Sequence, residues 1–474
     1  MARTKIVATL GPATRDIKTM RRLIRLGVDV FRLNFSHGNK AEHARLNQNI
    51  RRAAGERPIA VIGDLTGPKL RCGPIENDPV LLKKGNTFVL TAKKITGSDE
   101  GVSVNYKNLP GEVKSRERIF LDDGNIELQV KKVEGPDIHC RILIGGLLRS
   151  HKGINLPNTS LSIPSLTKKD REMIRHGVEL GVDFFALSFV KEAEDIKRAR
   201  RAVNNVGAET PIIAKIEKHE AAKNLEKIIE VADGAMVARG DLGVEIPIQE
   251  VPILQKRLIR LCNESGKPVI TATQMLESMM KNPRPTRAEV TDIANAIIDG
   301  TDAIMLSGET AIGQYPCRAV EIMDTVAQSI EKTLHYNEQL SGRKLAEAGS
   351  IPDAISLATC HIARALEVAA ILCLSATGYT ARFVARYRPR CPILVYTLEP
   401  STQRRLNLTW GVVPFLMEKM DGHGDISNLD ALIRYALETA QKEKLVKSGQ
   451  RVVVTAGLPL GRGGTTNMLR IFEV

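Results

Sequence analysis

Eight short apolar runs, each followed by a stretch of helical spacing, limit what this chain can fold into more than any other feature. They occupy residues 5–11, 28–35, 58–65, 183–190, 211–217, 234–240, 268–275 and 302–308. Runs that are continuously apolar, rather than alternating, imply parallel strands buried on both faces. Eight such strand–helix units predict a closed (β/α)8 TIM barrel. The strand entries alternate too. Strands two, four and eight begin after "GVD", "GVD" and "GTD", and strand six after "ADG"; strands three, five and seven begin after "RP", "TP" and "KP". That is consistent with barrel layers that alternate between odd and even strands.

The spacing breaks between the third and fourth runs. Residues 70–154 alternate polar and apolar and carry Gly and Asp turns, which predicts a small antiparallel β-domain inserted in a barrel loop. Inserted after a strand's C-terminal end, it would hang over the mouth as a lid. The barrel then comprises 1–69 and 155–340. From 341 to 474 the helix "DAISLATCHIARALEV" and four further apolar strands predict an open α/β domain.

A chain of 474 residues has room for these three units, and 68 Lys and Arg against 54 Asp and Glu give a net charge of +14. Such an excess favours anionic partners. Aromatic residues are only 4%, too few for the stacking platforms of a single-strand nucleic-acid binder, so small anions suit the charge better. The seven cysteines form no C-x-x-C pair, the pattern of a reduced, cytoplasmic protein. No apolar run reaches the length of a membrane span.

In a TIM barrel the chemistry gathers at the C-terminal strand ends. Those ends supply Arg32, Asn34, Ser36 and His37; Asp64; Lys215 and Glu217; Arg239 and Asp241; Thr271, Thr273 and Gln274; and Ser307 and Glu309. Residues i and i+2 of a strand share a face, so Lys215 and Glu217 point the same way. Glu217 and Asp241 could share one hard cation, as two carboxylates commonly do for Mg²⁺. A lysine beside it would neutralise a phosphoryl group in transit. Taken singly, a Lys-x-Glu pair on a strand is also what a surface ion pair looks like, and "RGDLG" what a turn looks like.

The stretches "TKIVATLGPAT", "RLNFSHG", "HKGINLP", "KIEKHE", "DGAMVARGDLGVEIP", "GKPVITATQMLESM" and "PRPTRAEVTDIANAIIDGTDAIMLSGETA" resemble those of pyruvate kinase, over most of residues 4–316. The resemblance implies phosphoryl transfer from phosphoenolpyruvate to ADP, giving pyruvate and ATP. It implies Mg²⁺ or Mn²⁺ on Glu217 and Asp241, and Lys215 and Arg32 against the phosphoryl group. The backbone amides of Gly240 and Asp241, with the Thr273 hydroxyl, would seat the substrate carboxylate. Thr273 is our candidate for the route of the proton to the enolate. Asn34, His37 and Arg71 fall near the nucleotide.

Asn34, Ser36, Asp64 and Leu65 resemble ligands of the potassium ion that many pyruvate kinases need. In that branch an acidic residue stands where this chain has Lys69. The Lys69 ammonium is therefore expected to replace the monovalent cation, so that K⁺ is not required. In the C-terminal domain, "SATGYTAR" offers Ser375, Thr377, Gly378 and Thr380 at a helix start, a phosphate-cradle composition. It resembles the family's effector loop, faced by 457–467, and implies a phosphorylated effector, a sugar phosphate or a nucleotide. The facing loop lacks the tryptophan of the fructose-bisphosphate pattern. The resemblance also implies a homotetramer. Two other readings are a metal-dependent lyase acting on a pyruvate enolate and a basic nucleic-acid binder. The first would not need the lid or the cation set for ADP. The second does not explain carboxylates at strand ends.

Overall fold

The computed structural model describes residues 2–157, 159–334, 349–417, 429–459 and 463–474. All eight apolar runs form strands of one closed parallel barrel: β1 (Lys5–Thr9), β2 (Val28–Asn34), β3 (Ala60–Leu65), β4 (Phe184–Leu187), β5 (Ile212–Ile216), β6 (Gly234–Ala238), β7 (Val269–Ala272) and β8 (Ala303–Leu306). Strand β8 pairs back onto β1. Every residue of β1, β3, β4, β6, β7 and β8 is buried, which is why these runs are continuously apolar. Their side chains divide between two clusters. Val7, Ile62 and Met236 belong to one, and Ile6, Val61 and Val237 to the other, which also takes in the surrounding helices.

The alternating strand entries have a physical cause at the base of the barrel. Asp29 accepts a hydrogen bond from the Ile6 N–H at 2.9 Å, Asp183 from Val61 at 2.9 Å, Asp233 from Ile212 at 2.7 Å and Asp302 from Val269 at 3.0 Å. An aspartate at the entry of each even strand thus satisfies an N–H near the start of the odd strand before it. A buried amide left unpaired there would be costly.

Between β3 and β4 the chain builds a six-stranded sheet and a two-stranded ribbon around an apolar core that includes Phe88, Ile119, Leu128 and Ile138. Strand Ile154–Asn155 pairs with Arg118–Leu121, so this sheet runs one residue past the expected boundary at 154. Its turn at Gly124 reaches the barrel: a Cβ there would lie 3.7 Å from Val244.

The C-terminal sheet has five strands, in the order Val412–Leu416, Ile393–Thr397, Ala370–Leu374, Arg451–Gly457 and Thr466–Glu473, the last antiparallel. The expected boundary at 340/341 lies outside the described residues. This sheet docks on the N-terminal ends of the barrel strands, away from the mouth. Arg404 pairs with Asp183 at 2.8 Å, Arg388 with Asp302 at 3.1 Å, and Lys5 Nζ donates to the Val412 carbonyl at 2.8 Å.

Candidate active site

At the opposite end of the barrel, β2, β3 and β5 bring Arg32, Asp64, Lys215 and Glu217 together. Arg32 Nε pairs with Asp64 Oδ2 at 2.5 Å, and its Nη1 donates to Thr9 Oγ1 at 3.1 Å. Lys215 Nζ lies 3.4 Å from both Asp64 Oδ1 and Glu217 Oε2 and donates to Ser188 Oγ at 2.7 Å. The Lys215 side chain is 12% exposed, Asp64 and Glu217 only 2%. Burial alone would lower the Lys215 pKa, but the two carboxylates outweigh it and hold the ammonium above its ordinary value. Burial pushes Asp64 up, yet Arg32 and Lys215 together bring it below the usual carboxylate range.

Glu217 goes the other way. Burial raises it, Lys215 opposes the rise, and the nearby charge of Asp241 adds to it. Its Oε1 accepts from the Phe189 N–H at 2.7 Å, while Oε2 has no hydrogen-bond partner among the described residues. A buried, unsatisfied carboxylate oxygen beside a second carboxylate is a donor set suited to a hard cation. Among the described residues no group of three or more His, Cys, Asp or Glu could hold a metal, so such an ion would rest on these two carboxylates and ligand oxygens.

Asp241 and Gly240 lie in the first turn of helix Arg239–Glu245, directly after β6. Gly240 N–H donates to Thr273 Oγ1 at 2.8 Å, and that hydroxyl donates to the Ala272 carbonyl at 2.6 Å. Thr273 and Gln274 both have positive φ, 66° and 54°, a strained pair at the end of β7. Arg239 holds the pair in place: its Nη2 donates to the Thr273 carbonyl at 2.7 Å and its Nη1 to Asp292 at 2.7 Å. Glu309 braces the same corner from β8, accepting from Leu276 N–H at 3.0 Å and Ser307 N–H at 2.8 Å. Arg239 and Glu309 are therefore supports of the mouth.

Sequence reasoning missed Ser188 and Phe189. Both follow β4, whose C-terminal end contributes no candidate above, although "LSFV" carries the serine there. The Phe189 φ of 56° turns its N–H onto Glu217.

The family model for the pyruvate kinase barrel domain matches residues 1–320, and the model for the pyruvate kinase alpha/beta domain matches 353–472. The chain belongs to the pyruvate kinase family. It is 46% identical to pyruvate kinase 2 of Synechocystis over 99% of this chain and 79% of that protein. Identity is 45% to the pyruvate kinase of Geobacillus stearothermophilus, over 100% of this chain and 80% of the relative. To that of Clostridium acetobutylicum it is 43%, over 99% of each. The chain is thus a phosphotransferase, and the lyase and nucleic-acid readings give way to it. No helix among the described residues is long and apolar enough to cross a membrane.

Within this pyruvate kinase frame, two candidate residues have surroundings of their own. The first is Lys69, which no ion pair among the described residues joins to the corner of Asn34, Ser36, Asp64 and Leu65. The ion pairs of Asp64 are with Arg32 and Lys215, the Leu65 carbonyl accepts from Ser188 Oγ at 2.8 Å, and Asn34 Oδ1 caps the Ser36 N–H at 3.1 Å. Lys69 instead lines the cleft between the inserted sheet and the barrel, with Asp241, Lys218 and Glu245. Its Cε would lie 3.7 Å from a Cβ on Gly153. Thr380 is the second. Its hydroxyl is buried against Thr466 Oγ1 of the facing loop at 2.7 Å. Thr377 is exposed and lies beside Gly463, where an added Cβ would be 3.2 Å from it. Gly378 has φ 76°, and Ser375 follows strand Ala370–Leu374. Residues 460–462 of the facing loop lie outside the described residues. His37 is exposed past β2, and Arg71 donates to the His151 carbonyl at 2.9 Å at the root of the insert.

Proposed function

We propose that the barrel mouth transfers the phosphoryl group of phosphoenolpyruvate to ADP, giving pyruvate and ATP, the last step of glycolysis. The observation that carries this reading is the Lys215 ammonium, buried between Asp64 and Glu217 and joined to Arg32 through Asp64. Two cations fixed beside a water-poor strand end are preorganised for charge on a phosphoryl group in transit. Bringing two polyanions together costs Coulomb energy that Arg32, Lys215 and Arg71 offset. Glu217 and Asp241 would hold a divalent metal, Mg²⁺ or Mn²⁺, which when bound neutralises charge between substrate carboxylate and phosphate. The Asp241 amide, in a helix first turn, and the Thr273 hydroxyl would orient the carboxylate. Asn34, His37 and Arg71 would receive the nucleotide, and the insert would exclude water so that ADP, not water, accepts the phosphoryl group. Mixing phosphoenolpyruvate, ADP and Mg²⁺ with the protein should yield pyruvate and ATP in equal amounts and stop on chelation; pyruvate without ATP overturns the reading.

Thr273 is the proposed relay of a proton to the enolate carbon, through water. A Thr273→Val enzyme with full turnover and normal proton exchange at the pyruvate methyl would remove it from that role. Lys69, at the edge of the cleft beside Asp241, is the proposed source of positive charge in place of K⁺. Activity is then equal with and without potassium, and Lys69→Glu introduces a potassium requirement; its failure to do so contradicts the role. Ser375, Thr377 and Gly378 form the proposed cradle of a phosphorylated effector, supported by their grouping beside Gly463. A sugar phosphate or nucleotide that shifts the phosphoenolpyruvate KM of the wild type, but not of Thr377→Glu, supports it; no shift by either class rejects it. The assembly proposed is a homotetramer, which a solution mass measurement tests.

A further inference from the structure

Beneath the loop that follows β2 lies a buried imidazole with no part in the chemistry above. His43, on helix Lys40–Ala54, is 3% exposed, and its Nε2 lies 2.7 Å from the His37 carbonyl oxygen. That carbonyl can only accept, so Nε2 carries a proton. Nδ1 is buried and has no hydrogen-bond partner among the described residues. The ring packs on Phe35, centroids 4.9 Å apart, and faces His176 at 6.0 Å. Phe35 belongs to the active-site frame: its N–H donates to the Asp64 carbonyl at 3.0 Å, and it fills the space over Gly63, where a Cβ would meet it at 2.8 Å.

A leucine at position 43 would pack on Phe35 without leaving a nitrogen of its own unsatisfied. The imidazole's one directed contact is with the loop. Within the loop, Asn34 Oδ1 accepts from Ser36 N–H at 3.1 Å and the Asn34 carbonyl from His37 N–H at 3.2 Å, while the Phe35 N–H ties its start to β3. Gly38, with φ 77°, brings the chain back so closely that a Cβ would lie 3.3 Å from His43 Nε2. His43 therefore ties the His37 end of this loop to helix Lys40–Ala54.

We propose that His43 is a positioning residue for the nucleotide. By holding the His37 carbonyl it fixes the Asn34–His37 turn in the conformation that receives ADP, at some cost in stability. The proposal rests on the reading of Asn34 and His37 as nucleotide contacts, and the test separates the two. Three variants are compared with wild type: His43→Leu, His43→Gln and His37→Ala. His43→Leu should raise the ADP KM roughly fivefold, the factor one net hydrogen bond is worth. Its phosphoenolpyruvate KM and its turnover at saturating ADP should stay within about twofold, and its thermal midpoint should be equal or higher. His43→Gln, which keeps an N–H donor, should recover most of the ADP affinity. If His37→Ala weakens ADP while His43→Leu does not, the proposal fails and the nucleotide reading stands. If neither variant weakens ADP, both fail. If His43→Leu instead loses stability and both KM values rise together, His43 is only a packing residue and the proposal fails.

Discussion

A lysine that stays charged while almost fully buried needs more than one partner. At Lys215 the partners are two carboxylates and the Ser188 hydroxyl, and the hydroxyl differs in kind. It neutralises nothing; it fixes where the ammonium points. Replacing Ser188 by Ala leaves the charges and removes the direction. Turnover should fall about fivefold with phosphoenolpyruvate affinity little changed, measured by steady-state kinetics on both substrates. Lys215→Met removes the charge itself, and turnover should fall about 10²–10³-fold, the usual scale for one preorganised electrostatic donor. Equal effects of the two substitutions would show that Ser188 does more than aim Lys215. At this scale the sequence was informative about charges and silent about partners. Spacing placed Lys215 and Glu217 on one face, and the structure has them 3.4 Å apart. It could not show that Asp64 would be taken up by Arg32 and Lys215, leaving Lys69 to the cleft, because that choice depends on how β2, β3 and β5 meet across 180 residues of chain.

At the scale of elements, the barrel was legible because burial on both faces leaves a continuous apolar signature in each strand. Even the alternation of "GVD" and "RP" entries had meaning, since the aspartates cap neighbouring strands. What the pattern hid is that two of those aspartates face the C-terminal domain as well. Asp302 accepts from Val269 N–H and pairs with Arg388, which is 6% exposed. Asp302→Ala therefore strips a strand cap and strands a buried guanidinium. The cost should be about 3–5 kcal/mol, the range for breaking a buried pair from one side. Thermal unfolding reads it as a lowered midpoint; an unchanged midpoint would mean that solvent reaches Arg388. The pairing of strand Ile154–Asn155 with Arg118–Leu121 was not legible, since it depends on the partner strand and not on composition.

Across the whole molecule, the insert is tied to the barrel by a small polar network. Glu245 accepts from Asn155 Nδ2 at 3.1 Å and pairs with Lys218 at 2.7 Å. Burial raises the Glu245 pKa, but the adjacent His219 ring, the Lys218 charge and the hydrogen bonds from Lys218 and Asn155 outweigh it and hold the carboxyl below its ordinary value of 4.5. A depressed carboxyl stabilises the fold above the unfolded-state value and loses that contribution as pH falls through the folded-state value. Acidification below 4.5 should thus loosen the insert first, seen as proteolysis within residues 70–155. Glu245→Gln should flatten that acid limb; an identical limb in the variant would place the sensitive group elsewhere. The net charge of +14 suits a molecule that gathers phosphates, but it did not point to the mouth. Only the convergence of polar residues at the strand ends did that.

In the proposed function, this mouth moves a phosphoryl group from phosphoenolpyruvate to ADP through the cations and carboxylates around Lys215. Phosphorus NMR of a mixture of phosphoenolpyruvate, ADP and Mg²⁺ follows the atom itself. With the wild-type protein the phosphoenolpyruvate signal should disappear as the γ-phosphate signal of ATP grows, and a folded Glu217→Gln variant should leave it in place. Release of that phosphorus as inorganic phosphate, or undiminished transfer by Glu217→Gln, would contradict the account.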